Sequence, residues 1–311
     1  MSNLIHENSD GVFIIAATPF SDNGDIDYGS IDSLIEFYIE HGVSGMTILG
    51  MMGEAPKMTS EESNSIMKYM MKRVDGRVPV IVGVSNPGMK NLADLSNASM
   101  DAGAAGVMVA PLSNLTTETK IYNYYGQICN ALGSDIPVCY QDFPQITGID
   151  VSVVTLIRLF EDLAQIVMLK HEDCPGLPKL SAVCDYGKSE KGRKVSVLVG
   201  NGGIYLPQEM ARGADGAMTG FAYPEMLVQV VTLYKSGETE RAQDIFDAYL
   251  PIANHEQQPG FGLGLRKEIL RRRGAIKSAA ARAPGPKLSL VDHQELTNLT
   301  TRLEKRLAEL G

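Results

Sequence analysis

The stretch QIVMLKHED, residues 165–173, carries an unbroken apolar run, Ile166-Val167-Met168-Leu169, straight into Lys170, His171, Glu172 and Asp173. Apolar residues without polar alternation read as a strand buried on both faces, the pattern of a parallel sheet covered by helices. A lysine closing such a strand has two readings. One is a snorkelling or salt-bridged residue, with its stem packed and its ammonium paired. The other is a nucleophile: burial disfavours the ammonium, and a neutral amine attacks a carbonyl to form a Schiff base. The rest of the chain decides between them.

Outward from this stretch, strand-length apolar runs alternate with helix-like segments. Strands are expected at 12–17, 46–49, 78–82, 106–110, 136–140, 166–169, 195–199 and 216–218. Helices are expected between them at 29–41, 88–102, 117–132, 150–162 and 175–187, with a short one before the last strand. Another starts at Thr59, where Glu62 completes a capping box. Eight strand–helix units between residues 11 and 236, each long enough for a parallel crossover, predict an α/β fold, a (β/α)8 TIM barrel. The competing fold is a doubly wound open sheet. No G-x-G-x-x-G follows the first strand, which weakens its dinucleotide-binding version. Beyond 236 only helical segments remain, at 238–256, 261–273 and 291–309. The expected organisation is a catalytic barrel over 1–236 and a C-terminal helical extension over 237–311 packed on it.

Composition narrows the function. Of 311 residues, 44% are hydrophobic and 21% charged, ordinary values for a globular protein. A net charge of −9 disfavours nucleic acid and anionic membrane as partners. No apolar window is long enough to span a bilayer. The polar, acidic start MSNLIHENSDG is unlike a signal peptide. Cys129, Cys139, Cys174 and Cys184 form no CxxC pair and read as reduced thiols of a cytoplasmic protein. His255-Glu256 lacks the H-E-x-x-H spacing, and no clustered His/Asp motif is present, so no metal is expected.

In a barrel of this kind the active site lies at the C-terminal ends of the strands. The unusual residues of the chain gather there. Strand two runs into Gly50-Met51-Met52-Gly53-Glu54, strand five ends at Tyr140, strand six at Lys170 and Glu172, strand seven at Gly200-Asn201-Gly202-Gly203, and strand eight at Met218. This clustering favours Lys170 as nucleophile. Tyr140 is either a strand-end aromatic or a phenol that shuttles protons during imine formation. The G-x-x-G loop is either a tight turn or a set of N–H donors for a carboxylate. The Gly200–Gly203 run is a turn, or a place where a ligand approaches the backbone closely. Glu172, two residues after Lys170, shares its face if the strand persists, as ion-pair partner or as acid/base group.

These motifs carry a resemblance. Gly50-Met51-Met52-Gly53-Glu54, Tyr140 with Pro144 and Gly148, Lys170, Gly200-Asn201-Gly202 and Gly213-Ala214-Asp215-Gly216 occur in the order found in a known family. The sequence resembles the dihydrodipicolinate synthase and N-acetylneuraminate lyase family of class I Schiff-base lyases over residues 11–300. The resemblance implies that Lys170 forms an imine with a 2-keto acid, usually pyruvate, that Tyr140 assists proton transfer, and that the G-x-x-G-E loop holds the carboxylate. It also implies a homo-oligomer, a dimer or tetramer, and no cofactor.

Departures from the family pattern bear on the substrate. Met51 and Met52 stand where synthases carry two hydroxyl residues. Phe143–Gly148 lacks the synthase arginine, and Pro111-Leu112-Ser113 stands near the place of a relay tyrosine. Leu250–Gln257 and Arg282–Pro286 are similar to the branch acting on 2-keto-3-deoxy sugar acids, and Lys170-His171-Glu172 resembles the K-x-E of 2-keto-3-deoxypentonate (arabonate-type) dehydratases. The expectation is a class I lyase acting on a 2-keto-3-deoxy sugar acid by dehydration or aldol cleavage. The alternatives are a dihydrodipicolinate synthase or N-acetylneuraminate lyase-like enzyme, and a non-catalytic 2-keto acid binding protein on the same barrel.

Overall fold

Residues 4–174 and 176–311 are described by a computed structural model. The first half of the chain runs β1 (Gly11–Ile15), α1 (Tyr28–Glu40), β2 (Gly45–Ile48), α2 (Ser60–Val74), β3 (Val80–Gly83), α3 (Met89–Asp101), β4 (Gly106–Val109) and α4 (Glu118–Leu132). The second half of the barrel follows with β5 (Val138–Asp142), α5 (Pro144–Thr147), α6 (Val153–Asp162), β6 (Ile166–His171), α7 (Leu177–Lys188), β7 (Ser196–Val199), α8 (Leu206–Ala211), β8 (Gly216–Ala217) and α9 (Pro224–Ser236). The chain ends in α10 (Thr239–Glu256), α11 (Gly262–Arg272) and α12 (Leu290–Leu310). All eight strands pair in parallel and in chain order, and β1 pairs with β8 to close the barrel. The (β/α)8 expectation therefore holds, as does the capping box of Thr59 and Glu62.

The strands bury both faces, and their two sets of side chains form two apolar layers. Val12, Ile14, Met46, Ile48, Val107, Val109, Val138 and Tyr140 pack outward against the helices. Phe13, Ile15, Ile81, Met108, Cys139, Met168, Leu198 and Met218 fill the barrel interior. In β6 the alternation breaks once. Val138 pairs with Ile166 but Cys139 with Met168, so Val167 is an extra residue in the ladder. Val167 and Met168 both join the interior layer, whereas Ile166 and Leu169 lie in the outer one. A β-bulge re-aims every residue after it. Lys170 points inward because of it.

Past β8 the chain is helical. Helix α10 packs on α9, and α12 on α10. Helix α11 returns to the barrel mouth, where Lys267, fully buried, meets Glu54 at 2.5 Å.

Candidate active site

Lys170 is 5% exposed and sits on the inner wall at the C-terminal end of β6. Its Nζ lies 2.9 Å from Oε2 of Glu172, itself buried. The backbone carries Glu172 on in strand register, since its N–H donates to the Asp142 carbonyl at 2.8 Å. The same Oε2 accepts from Nε2 of Gln141 at 2.7 Å, and Asn201 Nδ2 donates to the Glu172 carbonyl at 3.0 Å. A cavity of about 130 Å³ opens against this group. Its walls include Lys170, Glu172, Met51, Met52, Asn201 and Gly202, which the sequence singled out. They also include Ile15, Gln141, Phe143, Thr219, Gly220, Gln257 and Arg266, which it did not. The volume is well under the roughly 300–1,000 Å³ of pockets for drug-sized ligands and suits a small acid.

A larger cavity of about 600 Å³ lies over the β2 and β3 loops, between Leu49, Gly50 and Met51 on one side and Asn86 and Asp94 on the other. It shares Met51 and Gln141 with the smaller one, but its walls include neither Lys170 nor Glu172. The amine and its carboxylate place the chemistry in the smaller cavity. Two such groups in contact can exchange a proton, and the resulting amine is a nucleophile.

The geometry sets four of the candidates apart from the walls of the smaller cavity. Tyr140 does not face the cavity. It is fully buried in the outer layer, its ring 4.6 Å from that of Tyr125, and its hydroxyl has no hydrogen-bond partner. Burial, with the nearby charges of Asp142 and Glu118, holds that phenol well above its usual range. The cause is alternation along β5: with period two Cys139 and Gln141 point inward and Val138, Tyr140 and Asp142 outward. Glu54 is buried outside the smaller cavity. Its carboxylate is taken up by Lys267 at 2.5 Å, Lys57 at 2.9 Å and the Arg282 N–H at 3.0 Å, pinning the loop to the C-terminal helices. Gly200 is approached by the chain itself, since a Cβ there would fall 2.2 Å from Cγ of Glu172. Met218 is fully buried in the interior apolar layer, which Met52 also joins.

The remaining loop residues divide. Gly50 lines the larger cavity, and Gly53 is buried with its carbonyl accepting from Thr18 Oγ1 at 2.7 Å. Gly202 donates its N–H to Thr219 Oγ1 at 2.7 Å, tying the β7 and β8 loops together. Behind the inner wall, His171 and Asp142 form a polar layer: Asp142 Oδ2 is 3.6 Å from His171 Nδ1 and 3.3 Å from Lys179 Nζ. Gln141 was recoverable from the sequence by alternation from Cys139. Gln257 closes the Leu250–Gln257 stretch that carried the sugar-acid resemblance, whereas Arg266, from the distant end of the chain, carried no local signal.

Comparison with known proteins agrees with this architecture. The model of the dihydrodipicolinate synthetase family matches residues 8–303. The L-2-keto-3-deoxyarabonate dehydratase of Azospirillum brasilense is 29% identical over 299 residues, 94% of each chain. The 4-hydroxy-tetrahydrodipicolinate synthase of Methanococcus maripaludis is 30% identical, over 78% of this chain and 81% of its own. The crystal structure of dihydrodipicolinate synthase from Rhodopseudomonas palustris superposes with a TM-score of 0.94 at 44% identity, covering 96% of this chain and 99% of that one. Among the described residues no helix is long and apolar enough to cross a membrane.

Proposed function

This chain belongs to the dihydrodipicolinate synthetase family, and on that premise we propose that it is a Schiff-base lyase that dehydrates or cleaves a 2-keto-3-deoxy sugar acid. The observation that carries the reading is the Lys170–Glu172 contact of 2.9 Å at the wall of the small cavity. Glu172 takes a proton from the Lys170 ammonium, and the amine attacks the C2 carbonyl. Glu172 returns that proton to the C2 oxygen, which also takes one from the attacking nitrogen and leaves as water, and the protonated imine that remains draws electrons from C3. Glu172, held by Gln141 at 2.7 Å, then takes a C3 proton. The electron pair left on C3 is delocalised as an enamine and expels the C4 hydroxyl, which departs as water after taking a proton. Aldol cleavage uses the same sink but breaks C3–C4. Hydrolysis of the imine frees Lys170. Backbone N–H groups of the 50–53 loop, whose Met51 and Met52 line the cavity, serve the carboxylate.

The sugar-acid substrate is favoured by the A. brasilense dehydratase, which matches along 94% of both chains, and by the thioethers at positions 51 and 52. The synthase reading is favoured by the relatives named for that activity. The experiment is intact-protein mass after incubation with pyruvate and borohydride, on wild type and Lys170→Arg. A reduced adduct of pyruvate mass on wild type alone is expected. No adduct with pyruvate or with any 2-keto-3-deoxy acid sinks the imine mechanism. Full retention of ligand affinity by Lys170→Ala, with no wild-type turnover, makes the chain a binding protein instead. Release of pyruvate or loss of water from 2-keto-3-deoxy acids separates aldolase from dehydratase, and condensation of pyruvate with an aldehyde restores the synthase.

A further inference from the structure

The C-terminal helices bring an arginine into the same cavity as Lys170. Arg266, on α11, is 8% exposed and lines it together with Gln257, which follows α10. Arg266 Nε donates to Oε2 of Glu256 at 2.7 Å, and that carboxylate is itself buried. Gln257, oriented as its neighbours require, accepts at its carbonyl oxygen from Gly202 N–H at 3.1 Å and from Arg266 Nη2 at 3.1 Å. Two sides of the guanidinium are thereby fixed. The third, Nη1, reaches Met52 Sδ at 3.1 Å, and a thioether is only a weak acceptor. The approach is possible because residue 220 is glycine: a Cβ there would lie 2.0 Å from Met52 Sδ and 3.3 Å from Nη1.

A charged donor held rigidly in a buried cavity, facing nothing better than sulfur, is a site for a ligand oxygen. Its charge is already balanced by Glu256, so a second carboxylate gains little there. A neutral hydroxyl gains a charge-assisted hydrogen bond without adding charge to the cavity. We infer that Arg266, positioned by Glu256 and Gln257, binds a hydroxyl at the end of the substrate remote from the imine, and so selects hydroxylated chains over unsubstituted 2-keto acids. This rests on the sugar-acid reading given above for the same site. In this arrangement the extension supplies specificity and the barrel supplies the nucleophile.

The test uses the full-length protein with two probes: pyruvate, which has no remote end, and a 2-keto-3-deoxypentonate, which has hydroxyls at C4 and C5. Arg266→Lys keeps the charge but loses the fork. Arg266→Met combined with Glu256→Gln avoids a lone buried carboxylate. Thermal melts confirm that both fold. Binding of the pentonate is measured by calorimetry, and pyruvate capture by borohydride trapping. The expected result is a ten- to hundredfold loss of pentonate affinity, the scale of a lost charged hydrogen bond, at least tenfold larger than any loss in pyruvate trapping. Equal losses on both probes, or none on either, overturn the inference. If wild type binds pentonate but traps nothing, the Schiff-base reading fails while calorimetry still decides the role of Arg266. If wild type binds no pentonate, the inference falls with the sugar-acid reading.

Discussion

Gly200→Ala is expected to evict Glu172 from its place beside Lys170. The new Cβ would stand 2.2 Å from Glu172 Cγ and 2.7 Å from both Cδ and Oε1, so the side chain must rotate away. φ at Gly200 is −110°, outside the left-handed region. Rotation breaks the 2.9 Å contact with Lys170 and the 2.7 Å hydrogen bond from Gln141. Breaking a fully buried ion pair costs about 3–5 kcal/mol. Here both groups border a cavity and recover part of their solvation, so the expected loss of stability is about 2–3 kcal/mol. The assay is a double-mutant cycle by urea unfolding, with Gly200→Ala made in wild type and in Glu172→Ala. The cost in the second background should fall below about 1 kcal/mol, leaving a coupling of roughly 2 kcal/mol. An equal cost in both backgrounds would mean that the strain lies in the loop and that the contact between Gly200 and Glu172 explains nothing. Pyruvate trapping should fall along with the coupling.

Three further outcomes follow from the site and its surroundings. Tyr140→Phe removes a buried hydroxyl that has no partner, so turnover should stay within about twofold and stability should hold or rise, whereas Gln141→Leu should lower turnover more than tenfold. A hundredfold loss in Tyr140→Phe would return the phenol to the reaction. Burial alone pushes the Glu209 carboxyl from 4.5 to about 8. Below 4.5 the acid is protonated in both states; between 4.5 and about 8 the unfolded chain ionises while the folded one keeps the proton, so stability falls as pH rises through that window. The full span amounts to about 5 kcal/mol at most. Glu209→Gln should therefore gain stability over wild type by a few kcal/mol more at pH 8 than at pH 5, read by denaturant unfolding; an unchanged difference between the two pH values would rule out burial as the cause.

The sequence by itself determined the barrel, because a parallel strand buried on both faces writes its apolar run locally and four of the crossover helices carry their own N-caps, Asp27, Thr59, Thr117 and Ser152. It also determined that chemistry gathers at the strand ends, and it singled out Lys170, Glu172, Met51, Met52, Asn201 and Gly202, all of which the fold brings to one cavity. Facing direction was decided only by the tertiary structure. An extra residue at Val167 turns Lys170 inward, and the phase of β5, with Cys139 inward, puts Gln141 rather than Tyr140 at the cavity wall. A strand has period two, so a one-residue difference in register or length sends a side chain to the opposite face while leaving the apolar pattern almost unchanged. Arg266, and the place of Gln257 beside it, were out of reach for another reason. They come from helices far along the chain, and their meeting with Met52 and Gly202 depends on how α10 and α11 fold back over the barrel mouth, which no local pattern encodes.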